Sequence, residues 1–266
     1  MAADPAPTDQ IAFLARSSTR VRVLEELSNS GPTTRSACRE RLDASRSTVT
    51  RALSSLEARG WIESDGRSYE LTPVGEIVAT SFLELVEDLE VTADLRPFLE
   101  WFPYGATDLD LADLRDANVT AASEADPYAP ARRQSELLGA VTEFRGFLPA
   151  LDREGSELVH ERITAGQLRA EVVVSSAVAD ALSTADYAHL HREMLETGRL
   201  TLFVVDDELP YYIGLTGRGA VHVGVQGDDG FPRALVVTET DGARAWAESV
   251  YDACVSDARE LTAADL

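Results

Sequence analysis

Residues 33–60 read TTRSACRERLDASRSTVTRALSSLEARG, and no other stretch constrains the fold as tightly. It parses as two short helices joined by a tight turn. On the first, Cys38 and Leu42 lie one helical turn apart and share a face. Asp43-Ala44 forms the turn, where an Asp tolerates a left-handed backbone better than most non-glycine residues. Ser45 is then a good N-cap, accepting from an amide one turn into the second helix. There Val49, Ala52, Leu53 and Leu56 fall at i, i+3, i+4 and i+7 and make one apolar stripe. The opposite face carries Arg46, Ser47, Thr50, Arg51 and Ser54, with no acid before Glu57.

A helix that reads DNA must bury one side on its neighbours and lay hydroxyls and guanidiniums into a major groove. Ser and Thr are short enough to let the helix backbone approach, and Arg can fork onto guanine or grip phosphate. The bland alternative is a helical hairpin whose outer face is merely solvated. Gly60 closes the helix. WIES and RSYEL then flank Asp65-Gly66, a strong hairpin signal, with Ile62, Tyr69 and Leu71 able to face inward and Arg67 beside the tip.

A helix pair followed at once by a tight hairpin makes a winged helix. Residues 8–100 resemble archaeal winged-helix transcriptional regulators of the MarR and TrmB groups. The resemblance is carried by FLARSSTRVRVLEEL, SRSTVTRALSSLEARGWI and YELTPVGE. It implies that Arg46, Ser47, Thr50, Arg51 and Arg67 face DNA; Ser45 and Ser54 complete the candidate surface.

The charge distribution bears on that reading. The chain of 266 residues has a net charge of −22, and all 24 of its basic residues are Arg. So acidic a protein is normally a poor candidate for nucleic acid. Yet residues 1–75 hold ten Arg and ten acids, while residues 76–266 hold fourteen Arg and thirty-six acids. The candidate DNA-binding part is spared the acidity of the remainder. Acidity without lysine resembles proteins of salt-loving archaea. In molar salt the Debye length falls to roughly 3 Å, so binding would rest on close hydrogen bonds and shape.

The N-terminus, MAADPAPTDQ, is acidic and poor in apolar residues, and no apolar run approaches a membrane span. An intracellular, cytoplasmic protein without membrane association is expected. Cys38 and Cys254 fit no disulfide framework and no metal spacing; Cys38 is expected to fill a small core slot.

Along the chain, residues 1–7 read as a disordered tail, and Thr8 or Asp9 can cap a first helix containing Ile11, Phe13 and Leu14. Ser17-Ser18 caps a second, with Val21, Val23, Leu24 and Leu27 inward, and Gly31-Pro32 breaks it. Thr72-Pro73 opens a long helix. Its Val78, Phe82, Leu85 and Leu89 recur at heptad-like spacing, which suits a dimer seam or packing on its own domain. Pro97 ends or kinks that helix, and Trp101 and Phe102 are expected to plug a domain interface. Beyond residue 103, helices alternate with strands and a run of close strands follows. This argues for an α/β domain with a mixed sheet.

The segment LPYYIGLTGRGAVHVGVQGDDGFPRALVVTETDGARAWAE resembles the effector domain of TrmB-like and methanogenesis regulators. Those domains are folded like half of a phospholipase-D-type unit. Catalysis on that fold uses a His-x-Lys motif, which a chain without lysine lacks. His160-Glu161-Arg162 has the nearest spacing but reads as a helix surface. His189 and His191, two apart on a helix, point to different faces. His222, in a strand run, reads as a satisfied polar residue, and Asp206-Asp207 and Asp228-Asp229 as solvated turns. For a ligand, Arg132, Arg133, Arg145, Tyr211, Tyr212 and Arg218 stand out from the acidic background. Tyr211 and Tyr212 could instead split between core and surface by strand alternation.

The expectation is thus an α+β chain. A tail (1–7) precedes a winged helix of three helices plus a β-hairpin (8–72), a long linker or dimerisation helix (73–102) and an α/β effector domain (103–266). It is expected to bind double-stranded DNA as a homodimer and to respond to a small-molecule effector, without enzyme activity, cofactor or metal. A non-catalytic scaffold whose winged helix contacts protein is the alternative, and a degenerate phosphodiesterase a third reading.

Overall fold

The structure is a computed structural model that describes residues 6–184, 187–217 and 219–266. The chain divides into two compact units, residues 1–90 and 91–266. In the first, α1 (Pro7–Ala15) and α2 (Ser18–Ser30) precede a two-residue strand β1 (Thr33–Thr34), then α3 (Arg35–Arg41) and α4 (Arg46–Glu57). A hairpin of β2 (Ile62–Ser64) and β3 (Ser68–Leu71) follows, and then α5 (Pro73–Asp94). β1 pairs antiparallel with β3, so the wing has three strands in the order β1-β3-β2. That third strand was not legible in TTRSACRERL, which read as helix throughout. Thr33 is buried in the strand, and Thr34 caps α3 by accepting from the Ala37 amide.

The expected tail lies mostly outside the described residues. Where the chain is described, α1 begins at Pro7 with no side-chain cap, so neither Thr8 nor Asp9 plays that part. A proline at the first helical position needs no cap for a hydrogen it lacks. Leu14, Leu24, Leu27, Cys38, Leu53 and Ile62 are among the buried residues of one core beneath the wing, and Val78 and Phe82 pack half-buried against it. Two of the four expected seam residues therefore serve their own domain.

The second unit begins in the last turn of α5 and the short α6 (Arg96–Leu99). Val91, Leu95, Phe98 and Phe102 lie in its core, so part of the expected linker belongs here. Phe102 stacks on Phe98 and meets Tyr211 and Trp246, which makes it a core residue of this unit rather than an interface plug. Trp101 is exposed, with Arg233 over its ring.

The sheet contains β4 (Asn118–Ala121), β5 (Glu143–Leu148), β6 (Arg169–Ser175), β7 (Leu200–Val205), β8 (Tyr212–Thr216), β9 (Val221–Gln226), β10 (Pro232–Thr238) and β11 (Arg259–Leu261). Their order is β11-β7-β6-β5-β8-β9-β10-β4. β5, β6 and β7 run parallel and the other pairings are antiparallel, so the sheet is mixed, as expected. One face is covered by α7 (Ala129–Ala140), α8 (Arg153–Thr164), α9 (Ser176–Leu182) and α10 (Ala188–Glu196). The other is covered by α6 and α11 (Asp241–Ser256). Both faces being covered explains the near-continuous apolar runs of β6 and β7. The edge strand β11, after the closing helix, was not foreseen.

Candidate nucleic-acid interface

Each feature read from residues 33–71 has a defined place in the first unit. Asp43 is the one non-glycine residue with positive φ among those described, at 46°, and it turns the chain between α3 and α4. Ser45 caps α4, its hydroxyl accepting from the Thr48 amide at 3.2 Å. Val49, Ala52, Leu53 and Leu56 are buried against α2 and the wing. Burying such side chains stabilises by roughly 1.5–3 kcal/mol for each large one, and this fixes the roll of α4 about its axis. Ser45, Arg46, Ser47, Arg51 and Ser54 are consequently exposed, and Thr50 half-exposed.

The wing tip is held by Asp65. Its carboxylate accepts from the amides of Ser68 at 2.7 Å and Arg67 at 2.8 Å, and these bonds keep it below the ordinary carboxylate range. Gly66 completes the turn at φ 88°, and Arg67 stands exposed beside it. Among the described residues no acid pairs with Arg46, Arg51 or Arg67.

Two further residues join this surface. Arg35 and Arg39, one turn apart on α3, line a recess of about 290 Å³ with Ser36, Arg46 and Val49. Arg35 also donates to the Tyr69 hydroxyl at 2.8 Å, which ties α3 to the wing. Their i, i+4 spacing was visible in the sequence, but only the turn geometry brings them to Arg46. Three guanidiniums around one recess suit a phosphate.

The candidate ligand residues of the second unit are not gathered. Tyr211 and Tyr212 are both buried, but in the cores on opposite faces of the sheet. Alternation separates them as expected, yet neither reaches a surface because both faces are covered. Arg132 is paired with Asp126, and Arg133 with Glu136. Arg145 reaches Glu248 and lies over the Tyr251 ring, on the face away from Tyr212. Arg218 lies outside the described residues.

Three of the four histidines lie on α8 and α10, where the charges of His160 and His189 act on His191. His160 pairs with Glu193 at 2.8 Å. His191 is buried and His189 exposed. His222 is buried with its Nδ1 unpartnered, contrary to the expectation of a satisfied group, and burial pushes its pKa down to about 4. Asp229 is not merely solvated, since it accepts from the Phe231 amide and pairs with Arg233. Among the described residues no cluster of His, Cys, Asp and Glu is placed to hold a metal. No described helix is long and apolar enough to cross a membrane.

Two family models match the chain. Residues 8–94 match the HVO_A0261 N-terminal domain, and residues 127–257 match the middle domain of the methanogenesis regulatory protein FilR1. Each match covers less than half of the chain, and together they span most of it. The candidate surface described above falls within the first matched segment, and the helix-covered sheet from β5 to β10 within the second.

Among solved structures, the archaeal chromatin protein TrmBL2, described as showing a novel mode of DNA binding, is 12% identical to this chain. It covers 96% of this chain and 100% of its own, at a TM-score of 0.43. Nuc from Salmonella typhimurium, a phospholipase D family member, is 10% identical, covering 55% of this chain and 99% of its own at a TM-score of 0.41. NucT from Helicobacter pylori is 7% identical with the same coverage and a TM-score of 0.43. At these scores the likeness is loose. No curated protein shows significant similarity to the chain.

Proposed function

We propose that this protein is a transcriptional regulator that reads double-stranded operator DNA through α4 and the wing, as a homodimer, with its second unit serving as a non-catalytic sensor. The observation that carries the reading is the outward face of α4. Ser47, Thr50, Arg51 and Ser54 project from a helix whose roll is fixed by a buried apolar stripe, and Arg46 and Arg67 extend the surface at either side. Such a helix enters a major groove with its short side chains toward base edges, while Arg35, Arg39 and Arg67 meet the backbone.

The dimer is supported by α5. Leu85 and Leu89 are 46% and 62% exposed, and Val74 and Ile77 stand out further along the same helix. An apolar stripe of this kind calls for a partner, and a second copy supplies the paired reading heads that a two-fold operator requires. A sensor without catalysis fits the absence of lysine from the sequence.

Footprinting on the DNA upstream of the protein's own operon, in molar salt, tests the reading. A protected, two-fold-related pair of sites about one helical turn apart is expected. Protein capture through the winged helix with no protection of any DNA would support the scaffold reading instead.

A further inference from the structure

The second unit holds an apolar cavity that none of the described candidate arginines enters. It measures about 80 Å³ and lies where α7, α8 and α10 cross the sheet, walled by Leu138, Phe144, Ala170, Val172, Met194 and Leu202 among others. A more polar recess of about 140 Å³ adjoins it beside β9 and β10. Gln134, Leu148, Asp152 and Tyr212 form walls of both.

Tyr212 is the centre of this arrangement. Its ring runs parallel to that of Phe144 over a floor of glycines. Gly146 and Gly214 pair across β5 and β8, and Gly224 pairs with Tyr212 itself. A Cβ at Gly214 would sit 2.6 Å from the Tyr212 hydroxyl oxygen, so only glycine leaves that hydroxyl its place. The residue is 5% exposed, its hydroxyl has no hydrogen-bond partner, and burial pushes its pKa up. The Gln134 side chain lies near enough to offset that rise slightly, yet not in hydrogen-bonding geometry. Buried hydroxyls without a partner are rare in native proteins, because leaving one unpaired is costly.

The walls also dictate charge. Among the described residues no arginine lines either recess. Asp152 is engaged as the cap of α8, accepting from the Gly155 amide. Burial pushes the pKa of His191 down, and its Nδ1 faces the Tyr187 carbonyl at 3.1 Å. An anion would find no counter-charge here and would lose its hydration.

We propose that the two recesses form one binding site for a small uncharged amphiphile. Its alkyl or aryl part fills the inner cavity, and one hydroxyl or carbonyl oxygen accepts from Tyr212. This deepens the sensor reading above and rests on it. Dry cavities of about 150 Å³ lined by apolar side chains do bind benzene-sized molecules.

Calorimetric titration of the full-length protein in molar potassium chloride, without DNA, tests the site. The probes are 1-hexanol and its anionic counterpart hexanoate. One saturable site for 1-hexanol is expected, with hexanoate at least about tenfold weaker. Tyr212→Phe, which removes one oxygen, should weaken 1-hexanol by roughly five- to tenfold. Ala170→Leu fills the inner cavity and should abolish binding; if that variant does not fold, Tyr212→Phe decides alone. No binding of 1-hexanol, equal binding of hexanoate, or an unchanged affinity in Tyr212→Phe would overturn the assignment. DNA binding is read separately on the same sample. Hexanol binding by a protein that shifts no DNA sinks the regulator reading and leaves the site, and the reverse result does the opposite.

Discussion

Gly75, in the first turn of α5, sits so close to Trp61 that a Cβ there would fall 1.7 Å from the Trp61 carbonyl oxygen. The approach is locked by Thr72, whose amide donates to that same carbonyl at 3.0 Å and whose hydroxyl caps α5 through the Gly75 amide. Through this contact α5 is set directly against the segment leaving α4. Gly75→Ala must push backbone from backbone, since no flexible side chain can yield. Overpacking of this kind costs about 1–3 kcal/mol. A lower midpoint in urea unfolding is the expected outcome, and an unchanged midpoint would show that α5 is seated more loosely.

Ser45 both caps α4 and lies on the surface proposed to meet DNA. Ser45→Ala removes the α4 cap and should cost about 0.5–2 kcal/mol. Ser45→Asp can still cap, so stability should be retained. It also sets a carboxylate on the surface assigned to DNA, so DNA affinity should fall while the unfolding midpoint stays near wild type. The two variants together separate folding from binding.

The imidazole of His222 gives the fold a pH dependence. Burial lowers its pKa from 6.5 to about 4, and the nearby Arg133 charge acts in the same direction. The unfolded chain regains the ordinary value, so between those pH values it takes up a proton that the folded chain refuses. Stability is therefore unaffected by this group above about pH 6.5 and falls as the pH is lowered toward 4, by at most roughly 3 kcal/mol. His191, also held down by burial, adds to the same trend. His222→Leu removes both the titration and the unpartnered Nδ1, so its stability should fall less than that of wild type between pH 6.5 and 4. Parallel curves for the two proteins would contradict this.

The exposed stripe of α5 makes a prediction about assembly. If Leu85 and Leu89 meet their counterparts in a second copy, Leu85→Glu with Leu89→Glu converts the protein from twice the chain mass to a monomer in sedimentation. The unfolding midpoint of the first unit should hardly move, because both side chains are exposed. DNA affinity should fall with the loss of paired half-sites.

The sequence was most legible where local rules decide. The Asp43 turn, the Ser45 cap, the four-residue stripe of α4 and the Asp65-Gly66 hairpin each depend on a few neighbouring residues, and each stands where periodicity put it. It was least legible where distant segments meet. β1 is two residues long and exists because β3 offers it an edge. Arg35 and Arg39 join Arg46 only after the turn has folded. Tyr211 and Tyr212 looked like one aromatic pair, but strand alternation sends their rings to opposite cores. Arg132, Arg133 and Arg145, expected around them, found acidic partners, as arginines on so acidic a chain readily do. Among the described residues of that set Tyr212 alone lines the cavity, for reasons set by glycines on three strands.

The recognition face of α4 is tested most directly by fluorescence anisotropy on the DNA upstream of the protein's own operon, in molar salt, with Arg46→Ala, Arg51→Ala and, as a control on the second unit, Arg192→Ala. Arg46 and Arg51 are exposed and unpaired with any described acid, so both variants should fold as wild type and lose at least about fivefold in affinity, each base contact being worth roughly 1–3 kcal/mol. Arg192→Ala should bind as wild type. Equal affinity for wild type, Arg46→Ala and Arg51→Ala would contradict the assignment of this helix to DNA.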